Sequence, residues 1–500
     1  MTPPSSPLFS LPRGEDYAAL RDLFRNAGFT AEGIHGIFGK AGVISVPDPD
    51  VPRFLDQTRA DRPLDVLVRL FILGVACERD LVRRVLAPLS LDDLAAAGLL
   101  EIGERSVHAS IKLFPFENLW IAADKPPETG TGPREDFVMS IGGSTLSLRG
   151  LTIRRPVGAV LDVGTGCGVH ALWAASHCAQ VTAIDRTARA VDFARFNVRL
   201  NDIENVECLE GDLFGPVAGR RFDLILANPP FIISPDARLA YRDSGVRGDH
   251  FCRKLAREAA AHLEDGGYVQ IVANWPHRGD SSVSLEEWFE GTGCDVWVLR
   301  SKIYDAPDYV TRWLREEGPI DPLVHVERFQ SWVRFLDQES IPAVAIGVIS
   351  MRRRSASSNW FRLQDAPERL VGPCGDDVLR AFAVEDYLEA HATDSDLLDE
   401  RLLRAPSVRL DETCEAEGDG WQVRARRLRL AEGIAHSEEV DQNVAHLVLR
   451  CDGTRSLREL IAEMSASTGQ PADGIAPAVV EVARDLLRRG YLRPAVEDPR

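Results

Sequence analysis

The pentapeptide Ala227-Asn228-Pro229-Pro230-Phe231 follows an apolar run, Phe222-Asp-Leu-Ile-Leu226, that reads as a strand. Two consecutive prolines fix the backbone and remove two N–H donors. The Pro229 carbonyl is thereby presented as a free acceptor beside the amide oxygen of Asn228. Two acceptors held side by side suit an –NH₂ group with two hydrogens. Accepting both draws the amine out of conjugation and exposes its lone pair to an electrophile. Phe231 would stack on a flat substrate, as aromatic side chains do on a flipped base. Transfer at such a nitrogen needs in-line placement more than acid–base power. Asn228, Pro229, Pro230 and Phe231 are therefore the candidate catalytic residues.

A second constellation precedes it. The segment Ala159-Val-Leu-Asp-Val-Gly-Thr-Gly-Cys-Gly168 is an apolar strand running into Asp162, then a turn with glycines at 164, 166 and 168, then a helix starting near Val169. Such glycines relieve steric limits in the turn and let backbone approach a ligand closely. The next strand, Val181-Thr-Ala-Ile-Asp185, ends in an acid that would accept hydrogen bonds from both hydroxyls of a ribose. The third leads into Glu210-Gly-Asp212-Leu-Phe, where Asp212 would receive an adenine amino group and Leu213 and Phe214 offer apolar contact. The spacing is G-x-G-x-G, which argues against the dinucleotide pattern G-x-G-x-x-G and a nicotinamide enzyme.

These residues need a sheet to hold them. From about Glu135 to Gln364 strands and helices alternate, the mark of an α/β fold with a mainly parallel sheet. Seven strands are predicted: Ala159–Val163, Gln180–Ile184, Val206–Glu210, Phe222–Ala227, Tyr268–Ala273, Asp295–Arg300 and Ala343–Arg352. Residues 13–124 are mostly helical by periodicity. There Ser90 caps a short helix that ends near Gly98, and two strand-like runs follow, Val107–Phe114 and Glu117–Ala122, in the outline of a winged helix. KPPETGTGPR, from Lys125 to Arg134, reads as a linker. Residues 376–500 form a third, α+β region. It carries the alternating basic strand Trp421–Leu430, followed by a helix, a turn at Asp452-Gly453 and two more helices.

On these motifs the chain resembles class I S-adenosylmethionine-dependent methyltransferases over about 200 residues, with a Rossmann-like fold. The resemblance implies S-adenosylmethionine as cofactor, held by Asp162, Gly164, Thr165, Gly166, Gly168, Asp185, Arg186, Asp212, Leu213 and Asn228. The Ala194-Arg-Phe-Asn-Val-Arg-Leu-Asn201 run is also typical of the class. The Asn-Pro-Pro-Phe motif resembles that of amino-group methyltransferases acting on adenine or guanine in nucleic acid or on the glutamine of release factors. The loop Tyr241-Arg-Asp-Ser-Gly-Val-Arg-Gly-Asp249 resembles one in the release-factor enzymes. On that likeness Tyr241, Arg247 and Asp249 would border the substrate pocket. Trp275-Pro-His277, after the fifth strand, would line the same cleft. HLVLRCDGTRSLRELIAEM and VVEVARDLLRRGYL resemble winged-helix domains of the peptide-binding type found in coenzyme PQQ biosynthesis.

Composition bounds the rest. The net charge of −18 excludes a nucleic-acid-binding surface over the whole chain but leaves room for a local basic face. Arg424 and Arg426 on one face of the basic strand, Arg427 and Arg429 on the other, and Arg352-Arg-Arg354 are the candidates for one. A solvated edge strand is the competing reading. Nine cysteines with no C-x-x-C pair read as reduced thiols, and no metal site is expected. Met1 to Pro12 lacks the form of a signal peptide, and no window suits a membrane helix, so a cytoplasmic protein is expected. The favoured function is N-methylation of RNA or a protein glutamine. A small-molecule or peptide N-methyltransferase and a non-catalytic cofactor-binding scaffold are the alternatives, and the oligomeric state is open.

Overall fold

A computed structural model describes residues 9–39, 50–126, 134–236, 249–279, 285–315, 321–356 and 358–495. Contacts divide the chain into two compact units. The first comprises 1–148, 155–296 and 303–360, the second 149–154, 297–302 and 361–500. None of the described helices is long and apolar enough to cross a membrane.

The central sheet is built from β1 (Val157–Val163), β2 (Cys178–Asp185), β3 (Val206–Glu210), β4 (Phe222–Ala227), β5 (Leu263–His277), β6 (Cys294–Asp305), β7 (Ala343–Arg353) and β8 (Phe361–Asp365). Their spatial order is β8-β6-β7-β5-β4-β1-β2-β3, so the sheet has eight strands where the sequence predicts seven. The extra strand, β8, is half-buried along most of its length and lacks the apolar run that betrays a strand in sequence. β1, β2, β3, β4 and β5 run parallel, and β7 returns antiparallel to β5. The chain winds outward in opposite directions from β1 and β4, which lie side by side with Val163 opposite Ala227. At such a switch point the loops leaving the two strands diverge and open a crevice above their carboxyl ends.

The segments α1 (Gly143–Leu151), α2 (Val169–Ala174), α3 (Ala188–Leu200), α4 (His250–Ala261), α5 (Ala306–Arg315) and α6 (Pro322–Gln338) flank these strands in sequence. α4 is amphipathic, with Cys252, Leu255, Ala256, Ala259 and Ala260 buried. α6 starts at Asp321, whose carboxylate accepts the Leu323 amide at 2.9 Å.

The N-terminal region differs from its sequence outline. Val107–Phe114 is two strands, because the Ser110 amide turns aside to the Leu99 carbonyl. Ser106–Ala109 joins Cys77–Glu78 and Leu100–Ile102 in a small sheet, whereas Ile111–Phe116 pairs with Leu119–Asp124. Both strands of that hairpin are buried throughout. The hairpin packs on α3, where the Asn197 side chain bonds the Ala122 amide, the Ala122 carbonyl and the Cys167 carbonyl, each at 2.8 Å. Asn201 bonds both backbone groups of Trp120 at 2.8 Å, and Phe9 stacks on Phe193 at 4.2 Å between ring centroids.

In the second unit β9 (Val408–Glu417), β10 (Gly420–Leu430) and β11 (Ser437–Glu439) form a sheet in the order β9-β10-β11. The arginine strand is therefore central rather than an edge. Arg424 pairs with Glu415 and Glu417, Arg426 with Glu412 and Arg429 with Asp411, at 2.6–3.0 Å. Cross-strand acids thus occupy three of the four guanidinium groups that the sequence offered to an acidic ligand, Arg427 being the fourth. Asp452–Ser456, expected to contain a turn, is a short strand beside Arg401–Arg404.

Asn197 is fully buried, and alanine there would leave one amide and two carbonyls without partners. Asn197→Ala is expected to lower unfolding free energy by about 3 kcal/mol in urea titration, and by clearly more than Asn201→Ala, whose site is half-buried.

Candidate functional site

β1 delivers Asp162 to the rim of the crevice, fully buried. Its Oδ2 accepts the Thr165 hydroxyl at 2.5 Å and the Ala171 amide at 3.2 Å, which ties the turn to the first residues of α2. Its Oδ1 is buried with no donor among the described residues. Burial pushes the carboxyl up to about 7, against the pull of those two hydrogen bonds.

The glycine turn follows. Gly164 and Gly166 have φ of +72° and +55°, and a Cβ at either would meet nothing within 4 Å. Conformation demands glycine there, and the space beyond stays open for a ligand. Gly168 differs: φ is +83° and a Cβ would lie 3.1 Å from Ala194 of α3. Its missing side chain is what lets α2 start against α3. The Gly164 and Thr165 amides both donate to the Ile184 carbonyl at 2.9 Å.

Asp185, at the end of β2, is half-buried. Oδ2 accepts the Gly166 amide at 3.0 Å, and Oδ1 accepts the Thr187 amide and hydroxyl at 3.0 Å. It shapes the glycine turn from outside, a duty the sequence did not reveal. Arg186 beside it and Asp212 beyond β3 are exposed. Leu213 adopts a left-handed φ of +45°, rare for a leucine and strained.

β4 delivers Asn228 next to this turn. Asn228 Nδ2 lies 3.4 Å from Thr145 Oγ1 of α1, and Oδ1 is buried without a donor. Pro229 is buried, while Pro230 and Phe231 are half-buried. Phe231 meets Trp313 of α5 edge to face at 6.0 Å. Behind it, the Tyr309 hydroxyl accepts the Ile233 amide at 2.9 Å and Asn274 Nδ2 at 3.0 Å, which pins the chain leaving the motif to β5. Asp236 accepts from Arg328 at 2.6 Å and from the Trp332 indole at 3.0 Å, fastening the same segment to α6.

Thr145, Asn274, Tyr309 and Trp313 were not legible as site residues. Asn274 did carry a signal, a polar residue inside the apolar run of β5. Thr145 stands 83 positions from the side chain it orients, and no local pattern marks it. Trp275 and His277 do not follow the fifth strand; they lie within it, with Trp275 buried, because antiparallel pairing to β7 extends β5 to His277. Arg352 and Arg354 converge on the fully buried Asp295 at 2.7 and 2.8 Å, and Arg353 donates to the Ala260 carbonyl, so this run is an internal clamp. Tyr241 and Arg247 lie outside the described residues. Asp249 is half-buried at the start of α4, where its carbonyl accepts the Arg253 amide.

The turn thus offers an open space over two glycines, a buried carboxyl oxygen lacking a donor and a partly exposed acid at the next strand end. That set fits an adenosyl ligand with a charged amino-acid tail.

Comparison with known proteins agrees on the region. Residues 142–295 match the family described as the methyltransferase small domain. Two families described only as domains of unknown function match residues 26–110 and 380–494. A release factor glutamine methyltransferase of Xylella fastidiosa is 38% identical over 164 residues, 30% of this chain and 58% of that protein. A ribosomal RNA small subunit methyltransferase C of Alcanivorax borkumensis is 35% identical over 180 residues, 36% of this chain and 50% of that one. A ribosomal protein uL3 glutamine methyltransferase of Bradyrhizobium diazoefficiens is 38% identical over 125 residues, 22% of this chain and 39% of its own. The chain spans about half the length of the first two relatives. A putative methyltransferase from Streptococcus mutans, solved in complex with SAH, covers 43% of this chain and 99% of its own at 13% identity, with a TM-score of 0.26.

Asp162 has a pH signature. Its folded carboxyl, near 7, lies above the usual 3.8. Between those values the unfolded chain releases a proton that the folded chain keeps, so stability falls as pH rises from about 4 to about 7 and is flat beyond. Asp162→Asn keeps an acceptor for Thr165 and Ala171 without the titration. Thermal melts of the ligand-free protein should show the variant gaining on the wild type across that window and not above it. A gap independent of pH would contradict a buried protonated carboxyl.

Proposed function

We propose that the chain is an S-adenosylmethionine-dependent N-methyltransferase acting on a planar amino or amide nitrogen of a macromolecule. The single observation that carries this reading is the buried, donorless Oδ1 of Asn228 beside the glycine turn. An acceptor oxygen kept from water and left unpaired awaits a donor that is absent from the chain. An –NH₂ group supplies one.

Asn228 Oδ1 would accept one hydrogen of the acceptor amine and the Pro229 carbonyl the other, turning the nitrogen lone pair toward the methyl donor. Thr145 Oγ1 accepts from Asn228 Nδ2, which leaves Oδ1 as the unpartnered end of the amide. Tyr309 and Asn274 keep the exit of the motif rigid, and rigidity at the reacting centre is where rate is gained when placement matters more than acid–base power, the surplus proton of the methylated nitrogen leaving to water. Phe231, braced by Trp313, would provide the wall for a flat substrate. When bound, S-adenosylmethionine supplies an electrophilic methyl group on a cationic sulfur. Asp185 and Asp212 would hold its ribose and adenine ends, Arg186 and Leu213 flank them, and the orphan oxygen of Asp162 suits its ammonium. Tyr241, Arg247 and Asp249 would border the acceptor.

Support for the class comes from the match of 142–295 to the methyltransferase small domain and from three relatives named for transfer to RNA or to protein glutamine. We assign acceptor selection to the flanks, with winged-helix-like domains at residues 13–124 and 376–500. In the N-terminal flank, the strand order Cys77–Glu78, Ser106–Ala109, Leu100–Ile102 behind the helix Leu91–Ala96 favours that assignment. Nine free thiols suit a reducing cytoplasm.

Titration calorimetry with S-adenosylhomocysteine should detect binding to the wild type and none to Asp185→Ala. Asn228→Ala should still bind it, with at most a modest loss of affinity, yet transfer tritiated methyl to fractionated lysate about 10²–10³ times more slowly. Undiminished transfer by Asn228→Ala would overturn the nitrogen-clamp reading.

A further inference from the structure

The exposed side of α4 carries charge that the site described above does not use. His250, Arg253, Lys254 and Arg257 fall at i, i+3, i+4 and i+7, the spacing of one helical face. Together with Glu258 they line a shallow open groove of about 510 Å³. The opposite side of the same helix is fixed, since Cys252, Leu255, Ala256, Ala259 and Ala260 are buried. The stripe is therefore held facing outward. His250, Lys254 and Arg257 are exposed and Arg253 half-exposed.

The neighbours sharpen the contrast with the other basic clusters. Arg424, Arg426 and Arg429 of β10 are met by the acids of β9, and Arg352 and Arg354 by Asp295. On α4, Glu258 stands 3.7 Å from Lys254, and Asp249 precedes Arg253 by one helical turn. Arg257 is anchored on the Trp288 carbonyl at 3.0 Å, which fixes its direction without cancelling its charge. No ion pair engages His250 or Arg253 among the described residues. On a chain of net charge −18, Arg253, Lys254 and Arg257 thus share one face of the helix that follows the acceptor motif and its loop in sequence.

The geometry points to a phosphate-backbone docking face: α4 holds an RNA strand so that one of its bases reaches Asn228. From His250 to Arg257 the helix rises about 10 Å, room for about three successive phosphates of one strand. Lysine and arginine at such spacing position a nucleic acid without reading its sequence. The inference deepens the methyltransferase reading and rests on it for the purpose of the surface, though not for its existence.

The test uses full-length protein and a fluorescein-labelled RNA hairpin followed by fluorescence polarisation. The wild type should bind in the micromolar range at about 50 mM salt. Arg253→Glu/Lys254→Glu should weaken binding at least tenfold and flatten the salt dependence by a slope of about 1.4 to 1.8. Arg253→Ala/Lys254→Ala, milder to the fold, should move both in the same direction. Each variant should keep the wild-type melting temperature and S-adenosylhomocysteine affinity. Failure of the wild type to bind the hairpin, unchanged binding by both variants, or displacement by polyglutamate as effective as by unlabelled RNA would overturn the proposal, the last in favour of an acidic protein. RNA binding that survives without any S-adenosylhomocysteine binding would instead sink the methyltransferase reading and leave the surface standing.

Discussion

A buried carbonyl or carboxyl oxygen without a donor costs about 1–3 kcal/mol, and among the described residues two such atoms stand at the ends of neighbouring strands, with a third, Asn274 Oδ1, inside β5. Asp162 Oδ1 and Asn228 Oδ1 sit where β1 and β4 lie side by side, in register at Val163 and Ala227. A folded chain with no use for them would pair them with amides or replace them with apolar groups. Everything around them works to hold the two unpaired oxygens in place: the glycine turn, the hydroxyl of Thr145 and the twin prolines.

The scaffold that carries them is stabilised in ordinary ways. Gly168 admits α2 against α3, Asn197 locks α3 to the N-terminal hairpin, and Tyr309 ties the acceptor motif to β5. Each is a polar or steric contact in a dry environment, where misplacement by an ångström is costly. The hairpin Ile111–Phe116 and Leu119–Asp124 belongs to the same compact unit as the site it buttresses, because its buried strands lean on the helix that follows Asp185.

Charge is distributed by the fold more than by composition. The acidic chain pairs Arg424, Arg426 and Arg429 of its basic strand with its own carboxylates and leaves most of the α4 stripe exposed. The acids of β9 that meet Arg424, Arg426 and Arg429 of β10 come into place only through the cross-strand register.

The sequence determined the turn, the motif and the strands that end in them, because these depend on local sterics and short periodicity. Gly164, Gly166 and Gly168 announce positive φ, the apolar runs of β1, β2 and β4 announce buried parallel strands, and Asn228-Pro-Pro-Phe231 announces a fixed pair of acceptors. Strand bounds for β3 and β4 were legible to the residue. What required the tertiary structure were relations between distant segments: Thr145 turning Asn228, Tyr309 bridging Ile233 and Asn274, Asp185 bracing Gly166, acids meeting the β10 arginines, and β8 added to the sheet. Hydrogen bonds and ion pairs of this kind depend on which strands become neighbours, and that is decided by packing across the whole chain rather than by any window of it.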